Sequence, residues 1–107
     1  MEKITIQYRT EVEEYLNELN FLLFEKEYFG FLENAFDYVE QFIDFIEYNL
    51  PLFPSKNTPP ALSSLGSKYI FYKANHQTTW YIFFENSGNR FLVTYITNSH
   101  SEIVNFL

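Results

Sequence analysis

Two histidines, His76 and His100, are the only ones in the chain, and they flank the aromatic segment 78–97. An imidazole can accept or donate a proton near neutral pH, so the pair is suited to general acid–base chemistry. Cleavage of RNA through the ribose 2′-hydroxyl needs a base, a proton donor to the leaving oxygen and a cation for the developing phosphorane. The two histidines could be the acid and the base, with Lys73 or Arg90 as the cation. The alternative is that both histidines are ordinary polar residues of surface loops.

A metal site is a second chemistry to consider for the same histidines. Zinc needs at least one further protein ligand beside them, and the chain has no cysteine to supply it, which leaves Glu102 as the nearest additional donor. The absence of cysteine also rules out disulfide bonds. We therefore predict that the site uses no metal ion and no cofactor.

The distribution of charge divides the chain into two halves. Residues 1–50 hold twelve acidic and three basic side chains, whereas residues 51–107 hold two acidic and four basic side chains. A net charge of −7 argues against a nucleic-acid partner for the chain as a whole. The second half, taken alone, permits an anionic ligand. The simpler interpretation is that the acidic residues solvate the exposed faces of helices.

The first half predicts one strand followed by two helices. Residues 4–8 alternate between apolar and polar side chains, as in a half-buried strand. Thr10 with Glu13 predicts a capping box at the start of the first helix, whose apolar stripe continues to residue 23. A second apolar stripe at helical spacing covers residues 32–50. Two such helices joined by a short turn form an antiparallel hairpin.

Turn-forming residues mark the limits of the second helix. Gly30 predicts the turn between the helices. Pro51 ends the second helix, because the residue before a proline is pushed away from helical geometry. Residues 51–66 contain all four prolines, and we interpret them as an ordered crossing from the helices to the sheet. A role for this crossing in an active site or in partner binding is the alternative.

The second half predicts three strands: Lys68 to Ala74, Thr78 to Glu85 and Arg90 to Thr97. Short polar connections between them favour an antiparallel meander. The tail, residues 99–107, could add a short helix or a strand end.

The predicted fold class is α+β. It is one two-layer domain of residues 1–107, of order β-α-α-β-β-β, in which a helical hairpin packs on one face of an antiparallel sheet. No apolar run approaches ~18 residues and the amino terminus has no apolar signal core, so a cytoplasmic protein without membrane association is the default expectation.

The meander also predicts where the candidate catalytic residues lie. The connection before its second strand and the exit from its third strand are at the same end of the sheet, so His76 and His100 should lie near each other. Lys73 and Glu102 should lie close to them. Arg90 should lie at the opposite end.

Aromatic residues are frequent, and most of them are expected to form the core. Simple alternation places one set of strand residues on one sheet face: Tyr69, Phe71, Trp80, Ile82, Phe84, Phe91, Val93 and Tyr95. The other face then holds Ile70, Tyr72, Tyr81, Phe83, Leu92, Thr94 and Ile96. Both sets are apolar enough to be buried, so we expect the face away from the helices to be covered by a partner's helix or strand, or by another copy of the chain. The candidate partner-binding residues are Trp80, Tyr95, Tyr69 and Tyr72, and the stacking of bases on exposed rings is the alternative use.

In its element order and in two local passages, the chain resembles the RelE/ParE family of toxins from bacterial type II toxin–antitoxin systems. Residues 59–66, PPALSSLG, followed by KYIFY at 68–72, are similar to the family's approach to its second strand. The passage ITNSH at 96–100 is similar to the family's last strand, which commonly ends in a polar stretch with a histidine or an arginine. The resemblance in element order covers essentially the whole chain.

The resemblance implies a small toxin that is held inactive by an antitoxin wrapped around it. RelE-type members cut messenger RNA on the ribosome, and ParE-type members act on DNA gyrase. His100 carries over as a catalytic position, and Lys73 and Arg90 are candidates by location. The chain departs from the cleaving members in having few cations on the open sheet face.

Our leading hypothesis from the sequence is therefore a RelE/ParE-like toxin, with metal-independent cleavage of messenger RNA favoured over inhibition of gyrase. The alternative is a noncatalytic interaction module that uses the aromatic sheet face to bind another protein. A homodimer formed through the same face is a further expectation.

Overall fold

A mixed sheet carrying two helices forms the centre of the molecule, which confirms the predicted α+β class. The turn at Gly30 and the position of His76 lie outside the residues that the structure describes. The structure is a computed structural model that describes residues 3–25, 32–52, 54–74 and 78–107.

The strands and helices follow the predicted order, with one additional short strand. The strands are β1 (Thr5–Tyr8), β2 (Lys56–Asn57), β3 (Lys68–Lys73), β4 (Thr79–Ser87) and β5 (Arg90–Asn98). The α-helices are α1 (Thr10–Glu25) and α2 (Leu32–Asn49), and two 3₁₀ helices occupy Pro60–Leu65 and Glu102–Phe106. The second 3₁₀ helix agrees with the short helix that was predicted as one option for the tail. In the described ranges, neither α-helix is long and apolar enough to cross a membrane.

The ends of the helices are set by backbone groups and by one proline. The Arg9 carbonyl accepts the first hydrogen bond of α1 from the Glu13 N–H at 2.9 Å, so Arg9 occupies the cap position. Thr10 is already helical, and the predicted capping box is therefore wrong. Helix α2 ends before Pro51 as predicted, and the side-chain amide of Asn49 donates to a carbonyl of the last turn at 3.0 Å.

The sheet has the order β1-β5-β4-β3-β2 and is mixed rather than wholly antiparallel. Strands β3, β4 and β5 form the predicted antiparallel meander. Strand β1 pairs in parallel with β5, which corrects the expectation of an antiparallel sheet. The reason is that α1 and α2 lie between β1 and the meander in the sequence, and a helical crossover allows the parallel direction. Strand β2 comes from the proline-rich crossing and pairs with β3.

A β-bulge lies in β5. Phe83 pairs with Tyr95 and Phe84 pairs with Val93, so Thr94 is an extra residue that has no partner across the sheet. The side chains on either side of the bulge therefore do not follow one simple alternation. This irregularity, together with the pairing of Ile70 with Ile82, makes the predicted division of the sheet faces wrong.

The face of the sheet that meets the helices carries the larger core. Trp80, which is only 1% exposed, lies 4.8 Å from Phe42 between ring centroids, and its Nε1–H donates to the Tyr38 hydroxyl at 2.7 Å. Tyr72 stacks on Phe45 on the same face at 4.4 Å. The buried residues of this core are Val12, Leu16, Leu19, Ala35, Val39, Phe42, Ile46, Leu50, Ile70, Trp80, Ile82, Phe84, Val93 and Ile96.

The opposite face, which we call the second face, is partly covered by the chain itself. The two 3₁₀ helices supply the covering side chains, so the cover that the sequence led us to expect from a partner is in part internal. The residues of this smaller cluster are Leu62, Leu65, Tyr69, Tyr81, Phe83, Tyr95, Ile103 and Leu107. Phe71, at 36% exposure, remains open to solvent beside this cluster.

Four tyrosines make the stability of the fold depend on alkaline pH. Burial is the main cause that raises the pKa of Tyr8, Tyr15, Tyr38 and Tyr69 above the ordinary value of 10. The carboxylate of Glu47, which accepts a hydrogen bond from the Tyr8 hydroxyl at 3.3 Å, raises the pKa of Tyr8 further. Such a tyrosine stays neutral in the folded chain while it ionises in the unfolded chain. The stability that these groups contribute is therefore complete below pH 10 and is lost as the pH rises above that value.

We expect the Tm to fall steeply above about pH 10, and less steeply in Tyr8→Phe, because that variant lacks one of the four groups. Thermal unfolding followed by circular dichroism between pH 8 and pH 11.5, roughly the range in which free tyrosine titrates, measures the effect. Tyr48→Phe is the matched control, since Tyr48 is 73% exposed and its replacement should leave the pH profile unchanged. A Tm that stays constant across this range would contradict the prediction.

Candidate functional site

A shallow pocket of about 300 Å³ opens on the second face of the sheet, and we call it the second-face pocket. Its described lining combines two cations, three aromatic rings, two of which carry a hydroxyl, and the hydroxyl of one threonine, and it includes no acidic side chain. The lining residues are Lys56, Tyr69, Phe71, Lys73, Thr79, Tyr81 and Leu107.

Three neighbouring strands position this lining. Tyr69, Phe71 and Lys73 alternate along β3, so they project from the same face of the sheet. Strand β2 places Lys56 opposite Tyr69, and β4 places Thr79 opposite Lys73. The two lysines therefore flank the pocket at places separated by four residues of β3, which is about 13 Å of strand.

Three aromatic rings line the pocket. The Lys56 ammonium lies 5.3 Å from the centroid of the Phe71 ring, a cation–π distance that holds the charge over an exposed ring. The centroid of the Tyr81 ring lies 6.2 Å from that of Tyr69 and 6.5 Å from that of Phe71. Burial raises the pKa of Tyr69, and the neighbouring Tyr81 raises it further, so its hydroxyl stays protonated and can donate a hydrogen bond.

His100 lies at the Lys73 end of the sheet. It is exposed in the turn after β5. Its backbone N–H donates to the side-chain oxygen of Asn98 at 2.9 Å, and its ring Nε2 lies 3.1 Å from the Thr78 hydroxyl. Thr78 directly precedes Thr79, which lines the pocket. His100 therefore lies at the Lys73 end of the sheet, with its imidazole against Thr78, and it is not part of the pocket lining.

The structure brings together some of the predicted catalytic residues and separates others. Lys73 and His100 are at the same end of the sheet, as predicted from the meander. Arg90 begins β5 at the other end, eight residues from Asn98, which corresponds to about 26 Å along the strand. Arg90 therefore cannot serve as the cation of a centre built around His100. His76 is not among the described residues, and Glu102 begins the second 3₁₀ helix.

Two of the four predicted partner-binding aromatics are unavailable for that role. Trp80 is buried in the core on the helix side, and Tyr72 packs against α2 on that same side. Tyr69 does line the second-face pocket, and Tyr95 lies on the second face, half-buried against Phe83 at 6.2 Å. The mistake came from assigning β3 and β4 to faces by simple alternation without their pairing register.

Sequence reasoning missed Lys56, Phe71 and Tyr81 as candidate site residues. Lys56 lies in the proline-rich crossing, which gave no sign that a two-residue strand would return it to the sheet edge. Phe71 and Tyr81 face each other across β3 and β4, a relation that only the register reveals. A lysine between prolines next to an aromatic strand is the one signal that could have pointed to this pocket.

Most of the acidic side chains that the structure describes lie on the helix side of the sheet, away from the pocket. Neither α1 nor α2 contains a lysine, an arginine or a histidine. One packed layer of structure is about 10 Å thick, which exceeds the Debye length of about 8 Å at physiological salt. The helical carboxylates therefore act only weakly on a ligand in the pocket. The exposed carboxylates described in the two helices are Glu11, Glu13, Glu14, Glu18, Asp37, Glu40, Asp44 and Glu47.

The second-face pocket is thus suited to a ligand that combines anionic groups with a flat ring. The lysines can bind anionic oxygens, and the partly exposed ring of Phe71 can contact a flat ring. His100, at the same end of the sheet as Lys73, is of a type that can transfer a proton. Across the described part of the chain, no three His, Asp or Glu side chains converge into a group that could hold a metal ion. In comparisons with protein-family models, with curated proteins and with solved structures, the chain matches none of them.

Proposed function

We propose that this chain is the toxin component of a type II toxin–antitoxin system, with a RelE/ParE-like fold, and that the second-face pocket engages RNA. The observation that carries the proposal is a pocket that Lys56 and Lys73 flank and three aromatic rings line, on the sheet face opposite to the acidic helices, with His100 at the same end of the sheet as Lys73. The predicted element order and the placement of both helices on one sheet face support the same family. The carboxylates of the helices lie on the opposite side of the sheet from the pocket, so the net charge of −7 does not exclude an RNA ligand there.

In this proposal, the pocket residues and His100 each have one role in metal-independent RNA cleavage. Lys56 and Lys73 bind phosphate oxygens, and Lys73 is the cation nearer to the reacting bond. Phe71 offers its exposed ring to a base, since base–aromatic stacking tolerates any sequence. His100, with its ring oriented by the contact to Thr78, accepts the proton of the ribose 2′-hydroxyl as that oxygen bonds to phosphorus, and water donates a proton to the leaving 5′-oxygen. Messenger RNA on the ribosome is the substrate that the resemblance favours.

The exposed ring of Phe71 and the half-buried Tyr95 favour a second candidate function, a noncatalytic module that binds a protein through this face. The antitoxin of the first proposal would cover the same surface, so an apolar patch is expected in both cases. A gyrase-directed toxin of the ParE type is the intermediate case, in which the face binds a protein target and His100 has no chemical role.

Expression in bacteria, with growth as the readout, separates these functions. We expect growth arrest by the unaltered chain and relief of arrest in His100→Ala and in Lys56→Ala/Lys73→Ala. Arg90→Ala is the matched control, because it removes a cation from the opposite end of the sheet and should leave the arrest intact. Arrest that persists in His100→Ala but not in the lysine variant indicates a target-binding toxin. Absence of any arrest would favour the interaction module.

Binding of a labelled single-stranded RNA, measured by fluorescence anisotropy over a range of salt concentrations, tests the role of the two lysines directly. Each phosphate contact on a single strand adds about 0.7 to the slope of log affinity against log salt. Lys56→Ala/Lys73→Ala should therefore reduce that slope by about 1.4, while Arg90→Ala leaves it unchanged. Equal slopes for the unaltered chain and the lysine variant would show that the lysines do not contact RNA.

A further inference from the structure

The free edge of β1 is the second surface of interest. Among the strands that the structure describes, β1 is at the end of the sheet and pairs with β5 alone. The backbone N–H of Thr5 donates to the Asn89 carbonyl at 2.9 Å, and that of Arg9 donates to the Val93 carbonyl of β5 at 3.0 Å. Because successive residues of a strand direct their backbone groups to opposite sides, the N–H and C=O groups of Ile6 and Tyr8 point away from the sheet. These groups are available to pair with an additional strand.

A groove of about 570 Å³ runs along this edge, and we call it the edge groove. Ile6 and Tyr8 lie on its helix side, and Gln7 with Leu92 lies on the second face, so the groove wraps around the outer edge of β1. Leu16 and Ile43, from α1 and α2, form its apolar wall. A peptide that paired with β1 could therefore place alternate side chains against an apolar surface.

Carboxylates border the edge groove on the helix side. Glu13 lines the groove, and Glu47 accepts the hydrogen bond from the hydroxyl of Tyr8, which is itself a lining residue. Both carboxylates are exposed, and the helices that carry them contain no basic residue. The exposed cations nearby, Lys3 and Arg9, lie beyond the two ends of the strand. The side wall of the groove is therefore negative.

We propose that the edge groove binds an extended, basic segment of a partner protein, which adds a strand to β1. Backbone hydrogen bonds to Ile6 and Tyr8 would supply affinity, apolar side chains on one side of the segment would pack on Leu16 and Ile43, and lysines or arginines would pair with Glu13 and Glu47. A second copy of this chain is a poor occupant, since two such edges would bring their carboxylates together. The proposal does not depend on the activity of the second-face pocket.

A pair of synthetic peptides tests this inference with the intact chain. One ten-residue peptide alternates valine with lysine, and its control alternates valine with glutamate. We expect saturable binding of the lysine peptide, measured by fluorescence anisotropy, and no binding of the glutamate peptide. In amide NMR spectra, the largest shifts on binding should fall on Ile6, Tyr8 and their neighbours in β5. Absence of lysine-peptide binding at millimolar concentration, equal binding of both peptides, or shifts that map to another surface would overturn the proposal.

Two variants separate the backbone from the charge contribution. Ile6→Pro removes an outward N–H that the fold does not use, so it should abolish binding while circular dichroism shows an intact fold. Glu13→Gln/Glu47→Gln should lower the affinity by about fivefold or more, since it removes both charge pairs. Glu18→Gln/Asp37→Asn changes the net charge equally at helix positions outside the groove, and it should leave the affinity unchanged. Equal losses in the two charge variants would contradict the assigned site.

Self-association is the remaining outcome to examine. Sedimentation of the free chain should show a monomer. A dimer that dissociates in Ile6→Pro would show that the edge pairs with a second copy of the chain, and it would overturn the assignment of a basic partner.

Discussion

Replacement of Trp80 by alanine is expected to destabilise the fold by about 3–5 kcal/mol, which is the usual cost of deleting a buried Trp or Phe side chain. The indole is 1% exposed and lies against Phe42, and its Nε1–H is bound by the Tyr38 hydroxyl. For a chain of this size such a loss lowers the Tm by more than about 12 °C. Urea unfolding followed by circular dichroism measures the change in the free energy of unfolding.

Trp80→Phe separates the two contributions of the indole. A phenyl ring retains most of the contact with Phe42 but removes the hydrogen bond from the indole to the Tyr38 hydroxyl, so we expect a loss of about 1–2 kcal/mol. If Trp80 were a surface residue for partner binding, both variants would change stability by less than about 0.5 kcal/mol. That result would contradict its place in the core.

The second large effect is expected at Gly66, where the first 3₁₀ helix meets the sheet. A Cβ atom at this position would lie 2.5 Å from the Thr94 hydroxyl, 3.0 Å from the Phe84 nitrogen and 3.1 Å from the Phe83 Cβ. Two of these three neighbours are parts of the β4 backbone and its first side-chain carbon, so they cannot rotate away. Gly66→Ala should therefore destabilise the fold by about 1–3 kcal/mol through overpacking.

Gly88 provides the matched control for this prediction. It lies in the turn between β4 and β5 with φ of 58°, and nothing lies within 4 Å of an added Cβ. Gly88→Ala should therefore cost only the backbone strain, about 1 kcal/mol. In a Thr94→Ala background the added cost of Gly66→Ala should be smaller than in the unaltered chain, because the closest clashing atom is then absent. Equal effects at the two glycines would show that space around Gly66 is not limiting.

The elements that could be predicted are those in which one local pattern decides the outcome. Residues 32–50 carry an apolar stripe at helical spacing, and Pro51 stops it, so helix α2 was predicted to within one residue of its end. The three strands of the meander are separated by short polar turns, and no other pairing suits such connections. The placement of Lys73 and His100 at one end of the sheet followed from that topology.

The parts that could not be predicted depend on contacts between distant residues. The bulge at Thr94 shifts which side chains of β5 face the helices, and the Thr94 hydroxyl there donates to the Leu65 carbonyl of the first 3₁₀ helix, a contact between residues 29 positions apart. The choice of face for Trp80 depends on its pairing with Tyr72, which alternation within one strand cannot specify. Lys56 joined the candidate site because two residues of the proline-rich crossing pair with β3.

The placement of the described helical carboxylates on one side of the sheet makes the molecule an electric dipole as well as an anion. In the field of a negatively charged polymer, the torque on that dipole turns the helices outward and presents the lysine-bearing side, even though the total charge opposes approach. The orientation of the first encounter is thus decided before any contact forms. An anion of this kind can meet a polyanion productively from one direction only, and that restriction is a form of selectivity built into the arrangement of the two layers.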